Sequence, residues 1–342
     1  MEAEHLHEAE QLHDFKILSI DGGGIKGLFS ARVLSEIETQ HGSLAEHFDM
    51  LCGTSTGGLI ALALAAGKSA SEVVEFYKEW GPRIFPTGRI GRKWRDFRFY
   101  IAGGKYGDQN LAQAAKHILG EKRMCDANSY LCIPTVNLTS AAPWVFKTDH
   151  DAMLTRDSTI PMVDVALATS AAPFYFPVAV SSSVPGGYYV DGGLWANNPA
   201  FVGLLEACRF FAGNGKRYNR VRILSVPSAS PNAGRSSGGR RRLSVLTSGK
   251  EISTVALETQ QKSAENFIRM LELSLKVPFE YVRVAPPSIS VEHSSILGLD
   301  IATREAIDTL LSLGQSVGQV WKSKPQVVSF FHAPAAKPVF RS

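Results

Sequence analysis

Cysteine is scarce in this sequence, and so are the patterns that bind metals. The four cysteines among 342 residues include no Cys-x-x-Cys pair: Cys52, Cys125, Cys132 and Cys208. Such scattered cysteines are typical of reduced, mostly buried thiols in a cytosolic protein, so a disulfide framework is not expected. The sequence also has no zinc-ligand spacing and no calcium-binding loop, and we therefore expect chemistry that uses no metal.

Long apolar runs and a strong net charge are absent as well. No apolar stretch approaches the roughly 20 residues that a membrane-spanning helix requires, so a lipid substrate would be reached from the aqueous side. The polar residues 1–13 contain no apolar core of a secretory signal, which predicts a cytoplasmic location. Lys and Arg number 36 against 32 Asp and Glu, and this excess is too small to indicate a DNA or RNA partner.

The stretch 49–62 is the one around which the chain is organised. A short apolar strand leads into a Gly-x-Ser-x-Gly turn centred on Ser55, and a buried helix follows. This pattern is typical of a nucleophile elbow, in which the serine occupies a strained corner between strand and helix. Gly53 and Gly57 allow the helix to cross the strand closely. We predict Ser55 as the catalytic nucleophile, with an inert Gly/Ser/Thr turn as the alternative.

A second glycine-rich turn follows the first predicted strand. Gly22, Gly23 and Gly24 precede a helix, and backbone N–H groups in such a turn can stabilise the oxyanion of an acyl transfer. Neighbouring parallel strands would place this turn beside Ser55. The same glycines also fit the G-x-G-x-x-G fingerprint of dinucleotide sites. That fingerprint needs an acidic residue at the end of the second strand, whereas Asp49 begins it, so the oxyanion hole is favoured.

An aspartate follows a short aromatic strand later in the chain. Asp191 precedes a Gly-Gly turn, which is also common as a purely structural feature. Beside a serine elbow it becomes the candidate general base, because a serine hydroxyl needs a neighbouring group to take its proton. A histidine in the order Ser…Asp…His is the alternative. The histidines placed for it are His150, His293 and His332. None lies in a glycine-framed turn, so a Ser–Asp dyad is predicted.

Three ordered motifs together resemble the signatures of patatin-like phospholipases. They are Asp-Gly-Gly-Gly-Ile-Lys-Gly over 21–27, Gly-Thr-Ser-Thr-Gly over 53–57 and Asp-Gly-Gly over 191–193, and the likeness covers about 15–226. The resemblance implies a patatin-like, three-layer α/β/α fold with a nucleophile elbow. The alternation of strands and helices independently predicts an α/β class with a mostly parallel central sheet.

The resemblance also implies roles for single residues. Ser55 would be the nucleophile, Asp191 the base and the glycine turn the oxyanion hole, with fatty acyl esters of phospholipids as substrates. The family often has arginine where Lys26 stands. Lysine keeps the charge and loses the bidentate fork. Lys26 is therefore a candidate phosphate contact, and a solvated lysine is the alternative.

Within the family, the sequence is similar to bacterial effectors that cyclic nucleotides activate during anti-phage defence. This similarity implies a cyclic dinucleotide or oligonucleotide activator and peripheral attachment to the membrane; a homodimer is a further expectation. Two basic stretches are candidate sites for phosphate or a lipid surface, the Arg/aromatic tract 83–106 and Arg240–Arg242. The alternative for the tract 83–106 is a lid whose aromatic side chains pack inward. The alternative for Arg240–Arg242 is a solvated loop.

Changes in composition divide the chain. The expected segments are a polar lead-in over 1–14, a catalytic core over 15–226, a flexible Gly/Ser/Arg loop over 227–249, and helices with one strand packing on the same domain over 250–342. Within the core, a capping box at Ser69 predicts a helix that Gly81-Pro82 ends. The predicted function is a serine acyl hydrolase. The alternatives are a lipid esterase without nucleotide control and a non-enzymatic lipid-binding module.

Overall fold

The computed structural model describes residues 14–87, 104–181, 183–184, 186–229 and 245–340. Most of the Arg/aromatic tract and all of Arg240–Arg242 lie outside these residues. In the described part of the chain eight strands form one sheet. They are β1 (Asp14–Ile20), β2 (Met50–Gly53), β3 (Tyr130–Asn137), β4 (Ala142–Lys147), β5 (Ala179–Val180), β6 (Tyr188–Asp191), β7 (Arg220–Val226) and β8 (Phe279–Arg283).

The centre of the sheet is parallel. Its order is β5-β6-β3-β2-β1-β7-β8, and β4 pairs with β3 outside this path. The strands β3, β2, β1, β7 and β8 are parallel to their neighbours in that order, whereas β4 and β6 run antiparallel to β3. The prediction of a mostly parallel central sheet is confirmed.

Helices of very different lengths connect the strands or follow the last of them. They are α1 (Gly27–His41), α2 (Leu44–His47), α3 (Thr56–Ala65), α4 (Ala70–Ile84), α5 (Gln109–Leu119), α6 (Met162–Ser170), α7 (Gly193–Ala196), α8 (Ala200–Phe210), α9 (Val245–Leu271), α10 (Val291–Ile296), α11 (Arg304–Trp321) and α12 (Pro325–Val328).

Apolar side chains fill both sides of the sheet. Along β1, Leu18 and Ile20 belong to a core shared with α1 and α3, whereas Phe15 and Ile17 belong to a separate core shared with α8. Successive side chains of a strand point to opposite faces, so buried apolar residues on both faces of β1 mean that helices cover both faces of the sheet. The three-layer α/β/α prediction is confirmed.

Helix α4 begins as the sequence predicts and ends later. The Ser69 hydroxyl accepts a hydrogen bond from the Glu72 amide, and the Glu72 carboxylate accepts one from the Ser69 amide. The predicted end at Gly81-Pro82 is wrong, because the helix continues to Ile84. Pro82 lies inside the last turn and removes one helical hydrogen bond, but the bond from the Phe85 amide to the Gly81 carbonyl at 2.9 Å still forms.

The C-terminal segment packs on the same sheet and on α1. Strand β8 extends the parallel sheet beside β7. Helix α11 lies close against α1, since a Cβ added at Gly314 would stand 2.9 Å from the Phe29 carbonyl oxygen. Glycine is thus required for this helix contact. The arrangement leaves the carboxyl ends of β1, β2 and β7 side by side, where an open α/β sheet binds its ligands.

Candidate active site

Ser55 stands at a sharp corner between β2 and α3. Its φ of 55° and ψ of −125° are unusual for a residue that is not glycine, and functional sites often hold backbone strain of this kind. A Cβ at Gly53 would lie 2.1 Å from the Gly57 carbonyl oxygen, and a Cβ at Gly57 would lie 2.2 Å from the Ile20 carbonyl oxygen. Both glycines are therefore needed for α3 to pass so close to the strand ends.

Asp191 reaches the elbow from β6. This strand pairs with β3, and Thr135 of β3 is the register partner of Asp191. The Asp191 carboxyl lies near enough to Ser55 for the serine hydroxyl to lower its pKa, and its Oδ1 atom accepts a hydrogen bond from the Gly193 amide at 2.7 Å. The chain thus brings together the two residues that the sequence predicts as nucleophile and base, although Ser55 and Asp191 are 136 positions apart in the sequence.

The charge state of Asp191 depends on its burial. Its side chain is buried beside the elbow, and this burial raises the pKa of Asp191 to about 6, although the nearby Ser55 hydroxyl and the Gly193 amide lower it. Burial disfavours the charged carboxylate, and donors favour it. A carboxyl group with such a pKa is mostly ionised at neutral pH and can accept a proton.

The glycine-rich turn after β1 faces Ser55 with two of its three residues. Gly23 and Gly24 line the cavity around Ser55. The Gly22 amide instead donates to the Asn197 carbonyl at 3.0 Å, so in this structure Gly22 fixes the turn and does not point its N–H at the cavity. Gly24 has a φ of +59°, and a Cβ there would lie 2.2 Å from the Leu299 carbonyl oxygen.

A buried ion pair holds the start of this turn. Asp21 is fully buried, and its carboxylate accepts hydrogen bonds from the Arg283 guanidinium at 2.6 and 3.3 Å. Gln261 of α9 donates to the same carboxylate at 3.2 Å. Sequence reasoning missed Arg283 and Gln261, because no glycine-framed turn or motif marks either residue.

The cavity beside Ser55 is narrow and mainly apolar, with a volume of about 260 Å³. Its walls come from several helices and loops, and α9 contributes Leu257. The apolar lining residues include Ile25, Leu59, Ile84, Phe85, Leu111, Phe174, Phe176, Leu194 and Leu299. Hydrocarbon is the ligand chemistry that such walls favour. Sequence reasoning did not assign α9 to this cavity.

Lys26 lies under the same turn and is buried. The alternative of a solvated lysine is therefore wrong. Burial lowers the pKa of Lys26 to about 8, although the charge of Glu258 raises it. Glu258 belongs to α9, so the charge of Lys26 faces this helix as well as the turn.

The three candidate histidines lie away from Ser55. His150 is buried and bonds to Glu206 at 3.0 Å. His293 is exposed, and His332 lines a different cavity. Among the residues that the structure describes, no histidine lines the cavity around Ser55. The geometry therefore gives no support to a Ser–Asp–His triad.

The described ranges contain no group of three or more His, Cys, Asp or Glu side chains placed to hold a metal ion. Nor do they contain a helix whose length and apolar character would let it cross a membrane.

A serine on a strained elbow, beside a buried aspartate at the edge of a mostly parallel sheet, is the arrangement of a serine hydrolase. A family model described as "Patatin-like phospholipase" matches residues 18–204. The chain is 32% identical to a cGAMP-activated phospholipase of Vibrio cholerae, covering 98% of each chain. The protein belongs to the patatin-like phospholipase family and is a hydrolase of that family.

Two other relatives carry the same description. A cGAMP-activated phospholipase of Escherichia coli is 30% identical and covers 96% of this chain and 95% of its own. One of Pseudomonas aeruginosa is also 30% identical and covers 95% of this chain and 94% of its own. The likeness to these relatives therefore extends past the 18–204 match into the C-terminal segment.

Proposed function

We propose that the protein hydrolyses acyl esters of membrane phospholipids through a dyad of Ser55 and Asp191. The observation that carries this proposal is that the two side chains lie together in the wall of one apolar cavity. A serine whose proton can pass to a neighbouring base is an activated nucleophile. The apolar walls fit the acyl chain of such a substrate.

In the first half of the reaction, the Ser55 hydroxyl oxygen attacks the ester carbonyl carbon and its proton passes to Asp191. The N–H groups of Gly23 and Gly24 stabilise the negative charge that develops on the carbonyl oxygen. The tetrahedral intermediate then breaks its bond to the leaving alcohol, which takes the proton from Asp191. The product of this half is an acyl-enzyme on Ser55 and a lysophospholipid.

In the second half, water replaces the alcohol. Asp191 takes a proton from the water as its oxygen attacks the acyl carbonyl, and the same N–H groups stabilise the oxyanion. Collapse of this intermediate returns the proton to the Ser55 oxygen and releases the fatty acid. No cofactor enters either half of the reaction.

A cyclic nucleotide is proposed as the activator. The support is the description of three relatives as cGAMP-activated, each aligned over nearly the whole of this chain. On this proposal the protein acts from the cytoplasm as a homodimer in anti-phage defence, attaches peripherally to the membrane when active, and binds neither DNA nor RNA.

Hydrolysis of phospholipid vesicles, with products resolved by mass spectrometry, tests both parts. We expect fatty acid release that rises when cGAMP is added and disappears in Ser55→Ala and Asp191→Asn. Ser140→Ala and Asp308→Asn are matched controls at exposed positions, and both should retain the wild-type rate. A fluorophosphonate probe should label Ser55 and leave Ser55→Ala unlabelled.

Each alternative has its own result in these assays. A wild-type rate that is already maximal without cGAMP would favour a lipid esterase without nucleotide control. Vesicle binding with neither fatty acid release nor labelling of Ser55 would favour a lipid-binding module. Full turnover in Asp191→Asn would show that Asp191 is not the base, and Ser55 would remain the proposed nucleophile.

A further inference from the structure

A second and larger cavity lies at the opposite end of the sheet from Ser55. Its volume is about 950 Å³, against about 260 Å³ for the cavity at Ser55, and the two share no lining residue. The amino ends of β1 and β7, the loop before β7 and the segment 332–336 form its walls. We call it the basal cleft.

Charged side chains dominate the basal cleft. It is lined by four basic and three acidic residues, namely Lys16, Arg217, Arg220 and Arg222 against Asp14, Asp49 and Glu280. Guanidinium groups bind phosphate oxygens through paired N–H donors. Three arginines around one cavity therefore favour an anionic ligand that carries phosphate, in contrast to the apolar cavity at Ser55.

Two of these arginines retain donors for a ligand. Arg217 is exposed, lies over the Tyr218 ring at 5.4 Å from its centre, and makes no ion pair within the described ranges. Arg220 uses Nε and one Nη2 hydrogen for Asp14, at 2.6 and 2.7 Å. Because a guanidinium has five N–H donors, the others on Arg220 remain for a second acceptor.

The C-terminal segment closes one side of the basal cleft. The Lys16 ammonium donates to the Ala333 carbonyl at 2.6 Å, and the Ala336 amide donates to the Asp49 carboxylate at 3.3 Å. A ligand in the cleft would thus touch both the sheet and this segment. Lys16 and Asp49 are the residues at which the two meet.

The strands that begin at the cleft end at the catalytic turns. Strand β1 starts with Asp14 and ends next to Asp21 and the glycine turn, and β7 ends at Val226, whose carbonyl accepts the Asp21 amide at 3.1 Å. Asp49 directly precedes β2, which leads to Ser55. A strand of this length spans roughly 20 Å. The sheet therefore joins the two cavities through continuous backbone.

We propose that the basal cleft binds the activator, a cyclic dinucleotide whose phosphodiester groups contact Arg217 and Arg220. This inference rests on the proposed activation by a cyclic nucleotide. The volume accommodates a ligand larger than a single phosphate, the basic side chains match its charge, and the position leaves the cavity at Ser55 open to lipid. Binding biases the catalytic turns through β1, β2 and β7.

The test is calorimetric titration of the full chain with cGAMP at one fixed salt concentration. We expect Arg217→Ala to raise the Kd by about tenfold or more, as for a lost charge-assisted contact, with an equal rise in the cGAMP concentration needed for half-maximal vesicle hydrolysis. The Kd of Arg217→Lys should lie between the Kd of the wild type and that of Arg217→Ala. The control is Arg269→Ala, which removes an exposed arginine of α9 that pairs with Glu265 and does not line the basal cleft, and this variant should bind as wild type does.

Three results would overturn the assignment. In the first, wild type binds cGAMP and Arg217→Ala binds it equally well. In the second, Arg269→Ala is the weaker binder, which would move the site to α9. In the third, Arg217→Ala loses affinity for phosphatidylglycerol vesicles but keeps it for cGAMP, so the cleft serves lipid headgroups. If the wild type binds no cGAMP, the proposed activation by this nucleotide is wrong. Hydrolysis that requires Ser55 is measured separately, and that result would stand.

Discussion

Arg283 donates two hydrogen bonds to the carboxylate of Asp21, a residue 262 positions earlier in the chain. The aspartate is fully buried, and the next residue is Gly22 of the glycine turn. Arg283 also donates to the Ser225 hydroxyl at 2.6 Å. The last strand of the sheet therefore fixes the turn that we assign to the oxyanion hole.

Arg283→Met should destabilise the protein strongly. Removing one partner of a buried ion pair leaves the other charge without compensation and costs about 3–5 kcal/mol of the free energy of unfolding. Urea denaturation measures it. Arg304→Met, which removes a highly exposed ion-pair partner of Asp308, should leave the unfolding midpoint unchanged. An Arg283→Met protein as stable as the control would show that Asp21 needs no cation.

Gly24→Ala should abolish most activity by displacing the glycine turn. The φ of +59° disfavours any side chain, and the added Cβ would collide with the Leu299 carbonyl oxygen. Loss of one oxyanion donor lowers a rate by about 100- to 1,000-fold. The rate of fluorophosphonate labelling at Ser55 measures the effect. Gly107→Ala, where a Cβ meets nothing within 4 Å, is the control and should label normally.

The motifs predict the reacting residues but not the residues that hold them. Ser55 and Asp191 carry local signals, because glycines beside each residue permit the tight turns in which they lie. Arg283, Gln261 and Leu257 carry none, since the site residues that they contact, Asp21 and Gly193, lie more than 60 positions away in the sequence. Only the packing of β8 and α9 against the sheet brings them to the site.

The burial of Lys26 likewise cannot be predicted from its neighbours in the sequence. A lysine after three glycines in a turn has the composition of a solvated loop, whereas the fold places α9 over it. The sheet order shows the opposite case, because strands that alternate with helices already predict parallel pairing. Local pattern thus predicts the fold class and the catalytic pair, and long-range packing decides their surroundings.

Leu257→Trp should shift the substrate preference towards short acyl chains. Leu257 lines the cavity at Ser55, and its Cδ2 atom would lie 3.0 Å from a Cβ built on Gly193. A larger ring there fills space that a long acyl chain would use. Comparing hydrolysis of butyrate and palmitate esters measures the shift. Val255→Trp, at an exposed position of the same helix, should keep the wild-type ratio, and an equal ratio in both variants would place α9 away from the acyl chain.

The rate should rise with pH through the titration of Asp191. Only the ionised carboxylate can accept the Ser55 proton, and burial raises its pKa to about 6. We expect kcat/KM to increase about tenfold per pH unit below that value and to level off above it. A pH profile on a water-soluble ester measures it without the effect of vesicle charge. A profile that stays flat down to pH 4 would exclude Asp191 as the base.

Asp191→Asn should stabilise the protein while it inactivates the enzyme. The folded-state pKa of Asp191, about 6, lies above its ordinary value of 3.8. The folded protein therefore holds the proton more tightly than the unfolded chain, and stability is lost as pH rises from about 4 to about 6. Two pKa units correspond to about 3 kcal/mol.

Asparagine carries no charge and still offers an oxygen to the Gly193 amide, so it should recover part of this free energy at pH 7.5 and none at pH 3.5. Thermal unfolding at both pH values measures the difference, with Asp308→Asn as the exposed control. An Asp191→Asn protein that is less stable than wild type at pH 7.5 would show that the carboxylate is stabilised by its surroundings rather than strained by them.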